Sequence, residues 1–325
     1  AREARRSSGL ADSGVAAPRI GVAVGGTTGG MLEAEERYRR ASREGRRLGA
    51  PILLSMPVHA TADALAAVFG LEGPRITVAT ACSSSVNSIG LAADAIQEGR
   101  ADVMIAGGTE AHCKMTFAGF NALQAIDPGV CRPFDRRRAG LSLGEGAAIL
   151  VLEAEEHARR RGADVLAEIG GYGASADAHH MTAPDPEGRG AVLAMRRALA
   201  EAGVSPAEVD YVNAHGTGTP QNDPIETRAI HQVFGAHAPR LAVSSTKSQL
   251  GHCLGAAGAV EVLATVLAIR HGFVPPTANL EEPDPECDLD YVSRTARERK
   301  VRIALSNSYG FGGNDASICL RAYEG

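Results

Sequence analysis

Residues 75–99 read RITVATACSSSVNSIGLAADAIQEG, in which a β-branched stretch runs into a polar turn and then into a helix of small residues. Residues 241–272 read LAVSSTKSQLGHCLGAAGAVEVLATVLAIRHG and repeat the same order of strand, turn and helix. The match predicts that one structural unit occurs twice in this chain.

Two further pairs of segments favour a duplication. RIGVAVGGTTGG (19–30) and DYVNAHGTGTP (210–220) are both a short strand followed by a loop of glycine and threonine. ADVMIAGG (101–108) and LGEGAAILVLE (143–153) together match VRIALSNSYGFGGNDASICLRA (301–322), two strands around a glycine-rich turn. Because the three matches keep the same order, we interpret them as copies of one unit rather than coincidence.

The alternation of strands and helices predicts an α/β fold, with two sheets covered by helices that pack against one another. We place the N-terminal half, with the nucleophile proposed below, at 1–160 and the C-terminal half at 161–325. The second half opens with the strand DVLAEIGGYGASAD (164–177), which has no counterpart before the first helix of the chain. We therefore expect that a preceding N-terminal segment is missing.

The composition is that of a globular protein: 325 residues, 44% hydrophobic and 22% charged, with a formal net charge of -5. It argues against a disordered chain and against a general nucleic-acid binder. The cysteines form no CxxC pair, which favours a reducing, cytoplasmic location. The apolar run at 255–269 is short and alanine-rich, and no signal peptide opens the chain, so we expect no membrane segment.

Cys82 is the candidate nucleophile among the six cysteines. It follows the strand RITVATA directly and precedes a helix, so its sulfur is expected at a positive helix N-terminus, which lowers a thiol pKa. The other five fit the ordinary interpretation of small buried hydrophobes, namely Cys113, Cys131, Cys253, Cys287 and Cys319.

Two histidines and a lysine stand on the equivalent loops of the second half. His215 follows the strand DYVNA, and Lys247 and His252 follow the strand LAVSS. A single histidine in such a place could equally be a satisfied polar residue. A zinc site would show closely spaced ligand pairs, and papain-like chemistry would need one histidine and an orienting amide or carboxylate. We therefore favour nucleophilic catalysis with Cys82 and expect no metal.

The motifs ATACSSS (79–85), NAHGTGTP (213–220), KSQLGH (247–252) and SNSYGFGG (306–313) resemble, in this order, the signatures of β-ketoacyl synthases. The resemblance runs through the whole chain and is strongest to the elongating, type II enzymes. It implies a thiolase-like five-layer αβαβα fold, a dimer, and a decarboxylative Claisen condensation between a cysteine-bound acyl group and malonyl acyl carrier protein.

The resemblance also implies residue roles. Cys82 would carry the acyl thioester, and His215 and His252 would stabilise the enolate formed by decarboxylation. The backbone amides of Cys82 and Phe311 would form the oxyanion hole. Lys247 and Glu261 would hold one another and orient the histidine loop, and the otherwise apolar helix around Glu261 requires a partner for a buried charge.

Further positions match residues that line the substrate channel of the family. Thr217 and Thr219 would bind the pantetheine arm, and the remaining matches are Phe120, Asp177, His180 and Thr28. Thr28 stands where a larger aliphatic residue limits acyl length, so we expect a pocket for an unusual, unsaturated or oxygenated chain. No cofactor is expected to be bound permanently, because the carrier protein supplies the phosphopantetheine.

The expected partner is an acidic acyl carrier protein, with Arg46 and Arg47 as docking residues. A second arginine cluster, 136–138, is an alternative, and Gln124 replaces an arginine that contacts the carrier in related enzymes. A homodimer is expected, or a heterodimer with a related subunit.

Four other functions compete with this interpretation, and Cys82 with its two histidines argues against the second and third of them. A ketosynthase subunit of a polyketide or polyene pathway would keep all of these motifs. A non-catalytic chain-length partner would lack Cys82, and a degradative thiolase would replace one histidine by a second cysteine. A carrier-protein scaffold would need a disabled site. Tyr309 and Asp315 depart from the phenylalanine and asparagine of the family motif and affect pocket geometry.

Overall fold

The structure is a computed structural model that describes residues 1–45, 47, 49 and 54–325. In this part of the chain the first sheet has the strand order β2-β1-β3-β4. Its strands are β1 (Ile20–Gly25), β2 (Arg75–Val78), β3 (Val103–Glu110) and β4 (Gly146–Glu153).

The second sheet has the order β5-β12-β11-β6-β7-β9. Its strands are β5 (Glu168–Ala176), β6 (Tyr211–Asn213), β7 (Ala242–Ser244), β9 (Asp290–Tyr291), β11 (Ile303–Gly310) and β12 (Asn314–Arg321). A small antiparallel ribbon pairs β8 (Phe273–Val274) with β10 (Arg297–Glu298).

The helices fall between the strands. They are α1 (Arg2–Ser7), α2 (Met31–Glu44), α3 (Ala60–Phe69), α4 (Ser84–Gln97), α5 (Lys114–Ala122), α6 (Glu155–Arg160), α7 (Arg189–Ala202), α8 (Asn222–Phe234), α9 (Lys247–Leu250) and α10 (Ala257–His271). Two short 3₁₀ turns, Ala81–Ser83 and Leu254–Ala256, lead directly into α4 and α10.

Strand pairing confirms the duplication. In the first sheet β1 lies between the parallel strands β2 and β3, and β4 runs antiparallel beside β3. In the second sheet β6 lies between the parallel strands β7 and β11, and β12 runs antiparallel beside β11. The order 2-1-3-4 thus corresponds to 7-6-11-12, and the second sheet adds β5 beside β12 and β9 beside β7.

The alternation of side chains along the strands divides the core into layers. In β1, Val22 and Val24 join a buried cluster with α3, whereas Ala23 joins a cluster with α4 and α10. Ala316 and Ile318 of β12 cover the same two helices from the second sheet. The opposite face of that sheet packs against α7 and α8. The result is the predicted thiolase-like sequence of layers, helix, sheet, helix, sheet and helix.

The central helix layer contains the longest apolar helix. The segment Leu254–His271 is long and apolar enough to cross a bilayer by composition, so our expectation that it is too short is wrong. However, 61% of it is buried inside the fold, and α10 shares its buried cluster with α4. It is therefore the core helix of this layer, and its valines stabilise the fold by roughly 1.5–3 kcal/mol for each that is fully buried.

Candidate active site

Cys82 lies in the 3₁₀ turn at the start of α4, as the sequence predicts. Ala81 before it has φ +51°, a conformation that an alanine adopts only under constraint. The serine side chains supply that constraint: Ser84 Oγ donates to the Ala81 carbonyl at 2.6 Å and accepts from the Thr80 N–H at 2.9 Å. The serine-rich motif therefore builds the turn that presents the sulfur.

The second half contains the same turn. Leu254, with φ +49°, opens the Leu254–Ala256 turn that leads into α10, so it corresponds to Ala81 and Gly255 corresponds to Cys82. The copies have diverged in chemistry while keeping the strained conformation. His252 lies two residues before this turn and faces the first half across the centre of the molecule.

His252 contacts the Cys82 sulfur. The distance from its Nε2 to Sγ is 3.0 Å, and its Nδ1 accepts the Leu254 N–H at 3.3 Å. Because a backbone N–H can only donate, Nδ1 is the acceptor and the ring proton of the neutral imidazole lies on Nε2. His252 is thus placed to donate a hydrogen bond toward Cys82 or toward a substrate oxygen beside it.

His215 follows β6, and two neighbouring groups hold it in place. The backbone N–H groups of His215 and Gly216 each donate to the Glu226 carboxylate at 2.8 Å. Lys247 Nζ donates to His215 Nδ1 at 3.3 Å, which leaves Nε2 as the second N–H donor of the site. The His215 and His252 rings lie 5.4 Å apart, nearly perpendicular.

Lys247 and Glu261 form the predicted pair, both of them buried, and the ammonium donates to the carboxylate. Ser308 Oγ also donates to Glu261, at 3.4 Å. Burial raises the pKa of Glu261 to about 7, although Lys247 acts against it. Burial, together with the nearby Lys247 charge, holds the pKa values of His215 and His252 well below their usual range, so both imidazoles are neutral donors.

The pKa of the Cys82 thiol differs from our expectation. Burial raises its pKa to about 11, and this effect outweighs the opposing influence of Lys247 and of the Phe311 N–H. The prediction of a lowered thiol pKa is therefore wrong for the protein without substrate. The physical reason is that the sulfur at the helix N-terminus is also withdrawn from solvent.

Phe311 lies on the turn between β11 and β12, and its backbone N–H donates to the Cys82 sulfur. Gly310 allows this approach, because a Cβ there would lie 2.7 Å from the Thr80 carbonyl oxygen. The Phe311 ring stacks on Phe120 at 5.5 Å. The predicted amide donor Phe311 thus contacts the sulfur, and the predicted channel residue Phe120 contacts the Phe311 ring.

The predicted channel residues Thr217, Thr219 and Thr28 form hydrogen bonds within the chain. The hydroxyls of Thr217 and Thr219 contact one another at 3.0 Å, and Thr219 also caps the Asn222 N–H at 3.2 Å. Thr28 donates its hydroxyl to Glu110, so this oxygen is already engaged, which counts against the expected polar pocket.

Asp177 and His180 lie on the segment that follows β5. The Asp177 N–H donates to the Gly313 carbonyl at 2.9 Å, which ties this segment to the Phe311 turn. His180 is exposed, and its Nδ1 accepts backbone N–H groups of its own loop. The structure therefore does not bring His180 to Cys82.

The arginines proposed to dock the carrier protein differ in exposure and in ion pairing. Arg47 is exposed, whereas Arg46 lies outside the described residues. In the cluster 136–138 each arginine forms an ion pair within the chain, with Glu282, Glu281 and Asp284 respectively. That alternative docking patch is thus neutralised by its own acidic partners.

Two functional carboxylates were missed at the sequence level. Glu226, on α8, fixes the His215 backbone, and Glu110, at the end of β3, accepts the Gly255 N–H at 3.0 Å. Like Glu261, Glu110 is an acid in an otherwise apolar element, and this pattern indicates a buried carboxylate that needs a partner. In the described residues no group of three or more His, Cys, Asp or Glu side chains could hold a metal ion.

Comparison with known proteins identifies the family. Family sequence models of the β-ketoacyl synthase N-terminal and C-terminal domains match residues 1–158 and 166–281. The 3-oxoacyl-(acyl-carrier-protein) synthase 2 of Coxiella burnetii is 47% identical over 328 residues, covering 98% of this chain and 79% of that protein. The nodulation protein E of Rhizobium sp. (strain N33) is 48% identical over 323 residues, covering 99% and 80%.

A solved structure agrees with these relatives. The ishigamide ketosynthase/chain length factor has a TM-score of 0.93 at 38% identity, covering 98% of this chain and 79% of that one. The likeness therefore extends over both halves and over the loops that carry Cys82, His215 and His252. The chain belongs to the β-ketoacyl synthase family, whose members are acyl-transferring condensing enzymes.

Proposed function

We propose that the chain catalyses the decarboxylative Claisen condensation of a Cys82-bound acyl group with malonyl acyl carrier protein. The observation that carries this proposal is the contact between Cys82 Sγ and His252 Nε2 at 3.0 Å, with the Phe311 N–H on the same sulfur. The 3-oxoacyl synthase of Coxiella burnetii, by its name, acts on acyl carrier protein, and the same substrate suits this site.

In the first step the Cys82 thiol loses its proton as its sulfur attacks the thioester carbonyl of an acylated carrier protein. The new C–S bond forms, the pantetheine C–S bond breaks, and the leaving pantetheine sulfur takes up that proton and departs as a thiol. The Phe311 N–H and the Cys82 N–H stabilise the oxyanion of the tetrahedral intermediate. The phosphopantetheine is part of the incoming carrier protein, and Thr217 and Thr219 are the proposed contacts of its arm.

In the second step malonyl carrier protein loses carbon dioxide as its C–C bond breaks. The electron pair forms an enolate, whose oxygen accepts hydrogen bonds from Nε2 of His215 and His252. The enolate carbon then attacks the Cys82 thioester, and the collapse of the second tetrahedral intermediate expels the Cys82 thiolate. The neutral state of both imidazoles suits this role, because each offers one N–H donor without abstracting a proton.

The experiment is acylation followed by intact mass. The purified chain incubated with an acyl carrier protein should gain one acyl group, and Cys82→Ala should gain none. A panel of acyl groups would then identify the chain type, and a clear preference for ordinary saturated long chains would exclude the unusual pocket expected from Thr28. Acyl transfer to Cys82→Ala would contradict the proposed nucleophile.

A second candidate is a ketosynthase subunit of a polyketide pathway, favoured by the likeness to the ishigamide ketosynthase/chain length factor. Repeated condensation on one acyl group, with unreduced product, would support it, whereas a single extension supports the fatty-acid role. We further propose a cytoplasmic dimer, of two copies or with a related subunit, that receives the carrier protein at Arg46 and Arg47.

A further inference from the structure

Glu110 is a buried carboxylate, 5% exposed, at the end of β3, and the condensation steps above do not use it. Its Oε2 accepts the Thr27 N–H at 2.9 Å, the Thr27 hydroxyl at 2.6 Å and the Gly255 N–H at 3.0 Å. Its Oε1 accepts the Thr28 N–H at 2.9 Å and the Thr28 hydroxyl. Five donors from two segments thus converge on one side chain.

One of these segments is the turn that fixes His252. Glu110 holds the N–H of Gly255, and the neighbouring N–H of Leu254 donates to His252 Nδ1. Leu254 has φ +49°, a conformation that persists only where surrounding contacts enforce it. Gly255 is packed so closely that a Cβ would lie 2.7 Å from Glu110 Oε2. The carboxylate therefore stabilises the strained turn through its hydrogen bond with the Gly255 N–H.

The other segment is the glycine and threonine loop after β1. Thr27 and Thr28 bind Glu110 through both backbone and hydroxyl groups, which fixes the loop at two successive residues. A cavity of about 80 Å³ lies against this loop, and its lining includes Gly25, Gly26 and Glu110 itself. Glu110 thus joins the wall of a cavity to the turn that carries His252.

We propose that Glu110 is a positioning residue for the condensation, holding the His252 imidazole toward Cys82 through the Leu254–Ala256 turn. The inference rests on the proposed function of His252 as an enolate donor. Loss of Glu110 should therefore affect the two steps differently. Acylation depends on Cys82 and the Phe311 amide, whereas decarboxylation depends on the placement of His252 Nε2.

The test measures the two steps separately in the full chain. Glu110→Gln should acylate Cys82 at a rate within about threefold of the unchanged protein, whereas carbon dioxide release from malonyl carrier protein and condensation should fall about 10- to 100-fold, the loss expected for a hydrogen bond to a charged group. KM for malonyl carrier protein should change little, because the loss falls on kcat.

Thr27→Val and Thr28→Val form a matched pair that does not alter the carboxylate. Both remove one hydroxyl donor, but only Thr27 shares Oε2 with Gly255. Thr27→Val should slow condensation more than Thr28→Val does, and this pair keeps the inference testable if Glu110→Gln fails to fold. Equal effects of the two substitutions on condensation would count against the proposed coupling.

Asp210→Asn is a control for the loss of a carboxylate that accepts backbone N–H groups. Asp210 precedes β6, at the end away from His215, and accepts the N–H groups of Arg302 and Ile303. Its substitution should lower the melting temperature without changing the ratio of the acylation rate to the condensation rate. If Glu110→Gln lowers both steps in parallel with stability, or neither, the inference is overturned. If the protein without substitutions is acylated but never condenses, the proposed function is wrong, and this inference falls with it.

Discussion

The Cys82 sulfur lies at a helix N-terminus and is also buried, and burial has the larger effect on its pKa. The pKa of this thiol is raised from 9.0 to about 11, so in the folded protein the thiol stays neutral at pH values where a free thiol would ionise. This group therefore stabilises the fold at pH values below about 9, and the contribution is lost as the pH rises from about 9 to about 11.

The first prediction concerns alkylation of this thiol. Without substrate, reaction of Cys82 with iodoacetamide should be slow at pH 7 and should increase up to about pH 11, because the reactive thiolate forms only there. Mass spectrometry with Cys82→Ser as the control measures it. A half-maximal rate below pH 8 would show that the helix terminus outweighs burial.

The second prediction concerns the buried pair of Lys247 and Glu261. Lys247→Met should destabilise the protein by about 3–5 kcal/mol, because it leaves a buried carboxylate unpaired. Lys247→Met combined with Glu261→Met should recover most of this stability but not the condensation, since His215 Nδ1 still lacks its donor. Urea unfolding and single-turnover assays measure the two effects. Recovery of condensation in the double variant would contradict the role of Lys247.

At the scale of elements, the β11–β12 hairpin contains both departures from the family motif. Tyr309 and Asp315 are direct partners in its register, and the Tyr309 hydroxyl is buried without a hydrogen-bond partner among the described residues. Burial raises the pKa of Asp315 to about 9, and the neighbouring Asp177 carboxylate contributes to this shift. The hairpin therefore holds a protonated carboxyl group beside the segment that contacts the Phe311 turn.

The third prediction follows from this pKa. Because the folded value lies above the unfolded value of about 3.8, the stabilising contribution of Asp315 is complete below about pH 4 and is lost as the pH rises toward 9. Asp315→Asn lacks this loss, so its stability relative to the unchanged protein should increase from pH 5 to pH 9. Thermal unfolding at both pH values measures the difference, and a difference independent of pH would refute the shift.

At the scale of the whole molecule, the two halves meet at the central helices. A Cβ on Gly258 of α10 would lie 2.4 Å from the Val86 Cγ2 and 3.1 Å from the Val86 nitrogen on α4. Close approach of these helices is what brings the Cys82 turn to the His252 turn. The glycine at this contact is thus required by packing between the two copies.

The fourth prediction is that Gly258→Ala costs roughly 1–3 kcal/mol of stability through overpacking. Gly119→Ala is the matched control, because a Cβ at this position of α5 meets no atom within 4 Å, and alanine in a helix is favoured over glycine by about 0.5–1 kcal/mol. Urea unfolding compares the two. Equal stability of the two variants would contradict the close packing of α4 on α10.

The sequence predicts the duplication, the layers and the Cys82, His215, His252 and Lys247 loops, because each is a local pattern repeated at equivalent positions. It does not predict the pKa of Cys82, which depends on burial by the other half, nor the ion pairs that occupy the arginines at 136–138. Glu110 and Glu226 escape a local pattern because their partners lie in distant segments.

The most direct test of the division of labour between Cys82 and His252 is a single-turnover condensation. Each protein is first incubated with a carrier protein that bears an acyl thioester and is then given malonyl carrier protein. The acyl group bound to the protein and the 3-oxoacyl product are both measured. Cys82→Ala should never acquire the acyl group. His252→Ala should acquire it at a near-normal rate and fail to condense, whereas normal condensation by His252→Ala would contradict the mechanism.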